Sequence, residues 1–119
     1  MRILVIEDET MVLKSIEFKL KKEGFEVITA PDGKIALELL NSEAFDMVVT
    51  DLMIPYYSGL ELISYIRNEL KSKVPIIVLS VIGQETSIME AFKLGANDYM
   101  TKPFIPNELI FRIHKEALK

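Results

Sequence analysis

Cysteine is absent from the 119 residues, so neither a disulfide framework nor a thiolate metal site is available, which suits the cytoplasm. Nor is there a long hydrophobic run. The most apolar stretch, VPIIVLSVIG (74–83), contains Pro75 and Ser80 and falls far short of the ~20 residues a membrane helix needs. The opening MRILVIEDE has no signal-peptide pattern, since acids follow at once and no small-residue cleavage site appears. Positive charge is also in the minority. Fourteen Lys and Arg against 18 Asp and Glu give a formal net charge of −4, whereas binding a phosphate backbone needs a basic patch. Direct nucleic-acid binding by this segment is therefore not expected. The one histidine, His114, stands among Arg112, Lys115 and Glu116 without a carboxylate-rich set beside it, and reads as a surface residue. What remains is a cytoplasmic domain with no membrane association.

Half of the residues are hydrophobic, enough for one compact domain with a real core. Five short runs rich in β-branched and aliphatic residues read as strands: 2–6, 25–29, 46–50, 75–79 and 97–101. The middle runs alternate least, the mark of a parallel sheet covered on both faces. Helical spacing fills the gaps, in Leu13, Ile16 and Leu20; Ile35, Leu39 and Leu40; Leu60, Ile63 and Ile66; Met89, Phe92 and Lys93; Leu109, Ile110 and Ile113. Gly24 and Gly95 are placed as C-caps, and Pro31-Asp32-Gly33 turns the chain into the second helix. The fold class is α/β, a (βα)5 doubly wound sheet with right-handed crossovers.

Ligands of such sheets gather outside the carboxyl ends of the strands, where strand order reverses. Glu7 and Asp8 follow the first strand, Asp51 the third, Ser80 the fourth and Lys102 the fifth. A polar residue after a strand is ordinarily a turn former or helix cap, and singly Glu7 and Ser80 fit that description. Together, three carboxylates in one pocket repel one another and raise their own pKa values unless a cation sits among them. One lysine does not neutralise them, so a divalent metal is implied. Oxygen-only ligands favour Mg2+ over zinc or copper, and phosphate chemistry over redox.

The acidic pair ED (7–8), the block DLMIP…G (51–59), LS (79–80), GANDY (95–99) and KPF (102–104) stand in one order and spacing. With them the whole chain resembles the receiver domain of two-component response regulators, a flavodoxin-like fold with strand order 2-1-3-4-5. The resemblance implies a single receiver domain over residues 1–119, most like those followed by a winged-helix DNA-binding output. It implies that Asp51 accepts a phosphoryl group from a sensor histidine kinase or phosphotransfer protein. Glu7, Asp8, Asp51 and the backbone carbonyl of Met53 would hold Mg2+, and Lys102 would pair with Asp51 or the phosphoryl group. Ser80 and Tyr99 would form the switch pair. Such a domain is a phosphoacceptor and not an enzyme, assisting only its own phosphorylation and autodephosphorylation. Lys102-Pro103 is expected to be cis, since proline cuts the cis penalty to ~0.5–1 kcal/mol.

The family's output face is built from the fourth helix, fifth strand and fifth helix, and phosphorylation of Asp51 is expected to promote a homodimer through it. Asp98 and Arg112 match one charged pair, Glu108 keeps the acidic half of another, and Met89, Phe92 and Ile110 are the expected apolar patch. Ile88 departs from the pattern, standing where a basic partner for Glu108 would be. Val81, Met53 and Ile82 depart near the acceptor, where apolar side chains would narrow the path of attacking water. The tandem Tyr56-Tyr57 is unusual after Pro55. Rival readings fare worse. A dehalogenase-type phosphatase needs D-x-D, but Met53 replaces the second acid; a flavodoxin-like carrier needs a Ser/Thr/Gly-rich loop where EDET (7–10) stands. A degenerate receiver serving only as an interaction module is the alternative, and the complete acidic, hydroxyl and lysine set speaks against it.

Overall fold

The computed structural model describes residues 1–81 and 83–119. Among them run five parallel strands: β1 (Arg2–Ile6), β2 (Glu26–Ala30), β3 (Met47–Asp51), β4 (Ile76–Val81) and β5 (Asp98–Lys102). They alternate with α1 (Thr10–Lys22), α2 (Gly33–Ser42), α3 (Gly59–Ser64), α4 (Glu85–Leu94) and α5 (Pro106–Ala117). The sheet order is β2-β1-β3-β4-β5, as expected. Three strands end one residue later than the apolar runs suggest, and β4 two later, because the parallel ladder reaches past them: Asp51 pairs with Leu79, and Val81 with Lys102. Asp51 and Lys102 are thus the last residues of their strands rather than the first beyond them.

Continuous apolar strands make sense once both sheet faces are seen to be covered. Ile3, Val5, Met47, Val49, Ile77, Leu79 and Met100 pack with α1 and α5 through Leu13, Ile16, Leu20, Leu109, Ile110 and Ile113. Leu4, Ile6, Val48, Ile76 and Val78 face the other way, toward Ala36, Leu40, Leu62, Ile63, Ile66 and Ala91 of the remaining helical layer. Full burial of each such aliphatic side chain is worth about 1.5–3 kcal/mol, so a change of register would forfeit both layers at once.

Local chemistry sets the helix ends. Gly24 and Gly95, at φ +95 and +120, take the left-handed conformation after α1 and α4. The Asp32 carboxylate accepts from the Ile35 amide at 2.8 Å and starts α2. Ser58 and Glu61 form a reciprocal capping box on α3. α3 then widens into a π-helical turn, Tyr65–Glu69, which the apolar spacing does not announce. Two helix faces also differ from expectation. Ile35 is 38% exposed while Ala36 is buried, and α4 turns Ile88, Ala91 and Leu94 inward, leaving Met89, Phe92 and Lys93 outside. No described helix is long and apolar enough to cross a membrane.

Candidate functional site

The strand order reverses between β1 and β3, and the carboxyl ends of those strands carry the acids. Carboxylate oxygens of Glu7, Asp8 and Asp51 lie within 4.8 Å of one another. Glu7 is fully buried, Asp51 nearly so, and Asp8 exposed. Lys102 reaches across from β5 and touches two of them, its Nζ donating to Asp51 Oδ2 at 2.7 Å and to Glu7 Oε1. The Lys102–Pro103 bond is cis.

Hydrogen bonds fix the remaining oxygens. Asp51 Oδ1 accepts from the Met53 amide at 3.2 Å, and Glu7 Oε2 from the Glu9 amide at 3.0 Å. Thr50 Oγ1 donates to the main-chain carbonyl of Asp51 at 2.9 Å, a support that the sequence did not reveal. Gly59 closes the loop after β3: a side chain there would run into the carbonyl of Asp51 and lie 2.9 Å from Leu52 Cα. Burial pushes the Glu7 carboxyl up, and the Asp51 charge adds to it against the opposing pull of Lys102. Burial alone would lower the Lys102 ammonium, but its bonds to Asp51 and Glu7 prevail and raise it. Burial and the neighbouring acid thus oppose ionisation of Glu7, while the two carboxylates favour the charged form of Lys102.

This donor set fits a hard divalent ion. All three side chains offer carboxylate oxygens, the ligands Mg2+ prefers, with an exposed member that leaves room for water.

Ser80 is fully buried on β4, its hydroxyl donating to the Met100 carbonyl at 3.4 Å. Tyr99 turns outward, 39% exposed, and meets Phe92 edge-on with ring centroids 5.9 Å apart. Ser80 and Tyr99 therefore sit on neighbouring strands, and among the described residues neither is hydrogen-bonded to the acid cluster. Met53 and Val81 are both well exposed, and Ile82 lies outside the described residues. On the far face Arg112 grips both oxygens of Asp98 at 2.8 and 2.9 Å and holds Glu108 at 3.1 Å within the same chain. Ile110 leaves the expected patch. It is 9% exposed and belongs to the core with α1, because α5 must turn Leu109, Ile110 and Ile113 together toward the sheet. The exposed apolar surface here is Met89, Phe92 and Tyr99 instead.

The family model for the response regulator receiver domain matches residues 3–114. The chain belongs to this family. It is a signalling domain of two-component systems, similar over 112 residues to the probable transcriptional regulator ycf27 of Galdieria sulphuraria, at 42% identity covering 94% of this chain and 43% of that protein. The alkaline phosphatase synthesis transcriptional regulatory protein PhoP of Bacillus subtilis is 38% identical, covering 94% of this chain and 46% of that one. Among solved structures, the Francisella response regulator 1452 receiver domain superposes with TM-score 0.90 at 34% identity, over 98% of this receiver and 95% of that chain. The receiver spans under half the length of the curated relatives it matches.

Proposed function

We propose that Asp51 is the phosphoacceptor, charged by a sensor histidine kinase or phosphotransfer protein, and that Glu7, Asp8, Asp51 and the Met53 carbonyl hold Mg2+. The observation that carries this reading is the cluster itself: three carboxylates within 4.8 Å, two of them bonded to one lysine. A phosphohistidine donor breaks its P–N bond as an Asp51 oxygen forms the new P–O bond, and the imidazole keeps the electron pair and picks up a proton. Charge builds on the three equatorial phosphoryl oxygens as this happens. Lys102 is already placed on Asp51 Oδ2 to meet it, and the bound ion would supply the second positive charge. The Met53 amide holds Asp51 Oδ1 so that the carboxylate does not swing. A cavity of about 480 Å³ beside Lys102, walled by Val12, Val81, Pro103 and Phe104, offers the donor an apolar foothold.

Release of the signal follows from Ser80. Its bond to the Met100 carbonyl is long, and a phosphoryl oxygen on Asp51 is a stronger acceptor. Once the hydroxyl moves, Tyr99 can fill the space and alter the surface it shares with Phe92. Homodimerisation through α4, β5 and α5 is the expected output. A role in regulating transcription is supported by the names of the two curated relatives, and a DNA-binding output is what the family resemblance adds to it. Incubation with acetyl phosphate and Mg2+ should add one phosphoryl mass to the wild type and none to Asp51→Asn. Full labelling of that variant at another acid refutes the assignment.

A further inference from the structure

The loop from Leu52 to Ser58 carries Met53, whose amide fixes Asp51; Leu52 and Ile54 anchor its start in the core, but its other side chains bury little. Met53, Tyr56 and Tyr57 are 68%, 73% and 40% exposed. Its middle is also strained. The Tyr57 amide bonds back to the Pro55 carbonyl at 3.0 Å, with Tyr56 between them at φ +73. That is a γ-turn with a bulky residue in the left-handed region, a conformation that persists only where surroundings impose it.

One residue of another element meets the turn backbone directly. Gly33, the first residue of α2, donates its amide to the same Pro55 carbonyl at 2.9 Å. It also lets the loop backbone lie directly against the helix start. A Cβ at position 33 would fall on the carbonyl oxygen of Tyr57 and come within 2.8 Å of both its N and its Cβ. Two of those three atoms are backbone, so no rotamer change relieves the clash. Gly33 is not required by its φ, which lies outside the left-handed region; the approach of the loop requires it.

We infer that Gly33 is a positioning residue of the phosphoacceptor site: it holds the strained Pro55–Tyr57 turn and thereby the Met53 segment that faces Asp51. This rests on the reading of Asp51 and its neighbours as an Mg2+ site. A methyl group at position 33 pushes the turn outward and takes the Met53 segment with it. Removing such an outer support of a metal site weakens affinity about tenfold or more.

The test is a Mg2+ titration followed by melting temperature and by amide NMR, on wild type, Gly33→Ala and Gly24→Ala. Gly24 is the control for simple destabilisation. An alanine there is strained at φ +95 but meets nothing within 4 Å, and it sits at the opposite end of the sheet. Both variants should melt lower without Mg2+. Only Gly33→Ala should need about tenfold more Mg2+ or beyond for half-saturation, while Gly24→Ala keeps the wild-type value. The wild type provides a second measurement that does not depend on a variant folding. Coupling is reciprocal, so Mg2+ should slow hydrogen exchange at the Gly33 amide. Equal half-saturation in Gly33→Ala and wild type, or an unprotected Gly33 amide in Mg2+-saturated wild type, overturns the inference while leaving the Mg2+ site intact. No Mg2+ response in the wild type overturns the site reading and the inference together.

Discussion

Replacing Lys102 with methionine should expose how much of the domain's stability is committed to its acidic pocket. The change keeps the apolar stem and deletes the charge. Lys102, Glu7 and Asp51 have side chains 11%, 0% and 10% exposed, so solvent screens them little. Removing one partner of a buried pair costs about 3–5 kcal/mol, because the other charge stays behind unpaired. Two carboxylates lose their partner here. Against a total of roughly 6–18 kcal/mol for a domain of 119 residues, the loss is large but survivable. Its pH dependence has a definite sign. The folded Glu7 carboxyl lies above its ordinary value of 4.5, so its favourable contribution is complete below that value and is lost as pH rises through the raised one. Lys102 lies above 10.5, so its contribution is whole throughout neutral pH and fades only as pH climbs through its raised value. Without the lysine, Glu7 resists ionisation further. The deficit of Lys102→Met should therefore be smallest near about pH 5 and largest near about pH 8. Mg2+ should close the gap at the higher pH by placing a cation among the same oxygens, with a gain of about 2.7 kcal/mol at a hundredfold excess over Kd. Urea unfolding monitored by far-UV circular dichroism, with and without Mg2+ at both pH values, measures all of this. Equal stability of variant and wild type at about pH 8 without Mg2+, or a larger deficit in acid, refutes the reasoning.

Two further outcomes are expected. Asp8→Ala, which removes the exposed carboxylate of the cluster, should shrink the rise in melting temperature caused by Mg2+, and an identical Mg2+ dependence in variant and wild type contradicts the ligand role. Phe92→Ala combined with Arg112→Ala should leave the domain monomeric when saturated with a phosphoryl mimic, where the wild type dimerises; the same monomer content for both in sedimentation dismisses the dimer surface.

Strand-end chemistry was legible because parallel strands translate sequence order into spatial convergence. Each apolar run ends on a polar residue, and the fold brings Glu7, Asp8, Asp51 and Lys102 to one edge wherever the run is drawn to stop within one residue. The supports of the site were not legible. Thr50 looks like any β-branched strand residue until its hydroxyl is seen on the Asp51 carbonyl. Gly33 reads as part of a Pro-Asp-Gly turn, whereas its need is a tertiary approach by Tyr57, which no local pattern encodes. Arg67 gave no signal either. Its guanidinium, its pKa lowered by burial, donates to the Gly95 carbonyl at 2.8 and 3.1 Å and to Ser72 and Asn97 at 3.0 Å each. The six methionines carry no common signal: Met47 and Met100 are buried, while Met1, Met11, Met53 and Met89 are exposed.

The fourth helix shows most clearly why the output surface was harder to read than the acceptor site. Its apolar residues surround so much of the circumference that spacing alone gives two stripes, Met89–Phe92 and Ile88–Ala91–Leu94, and the second is the one that packs inward. A side chain as small as Ala91 suffices there because the helix lies close to the sheet; it is the only residue of α4 that is fully buried. The helix is held unequally as a consequence. At its C-terminus Gly95 is clamped by Arg67 from the π-helical turn, where a cation also complements the helix dipole. At its N-terminus there is no side-chain cap, and Gln84 instead turns its oxygen back to the Val81 amide at 2.7 Å. Local stability follows buried contacts and satisfied ends, so the weakly held end of α4 is the end that adjoins Ser80 and Val81. Under the proposed switch, movement of the Ser80 hydroxyl would meet little resistance there, and the clamped end would turn it into a tilt of the face that carries Met89 and Phe92.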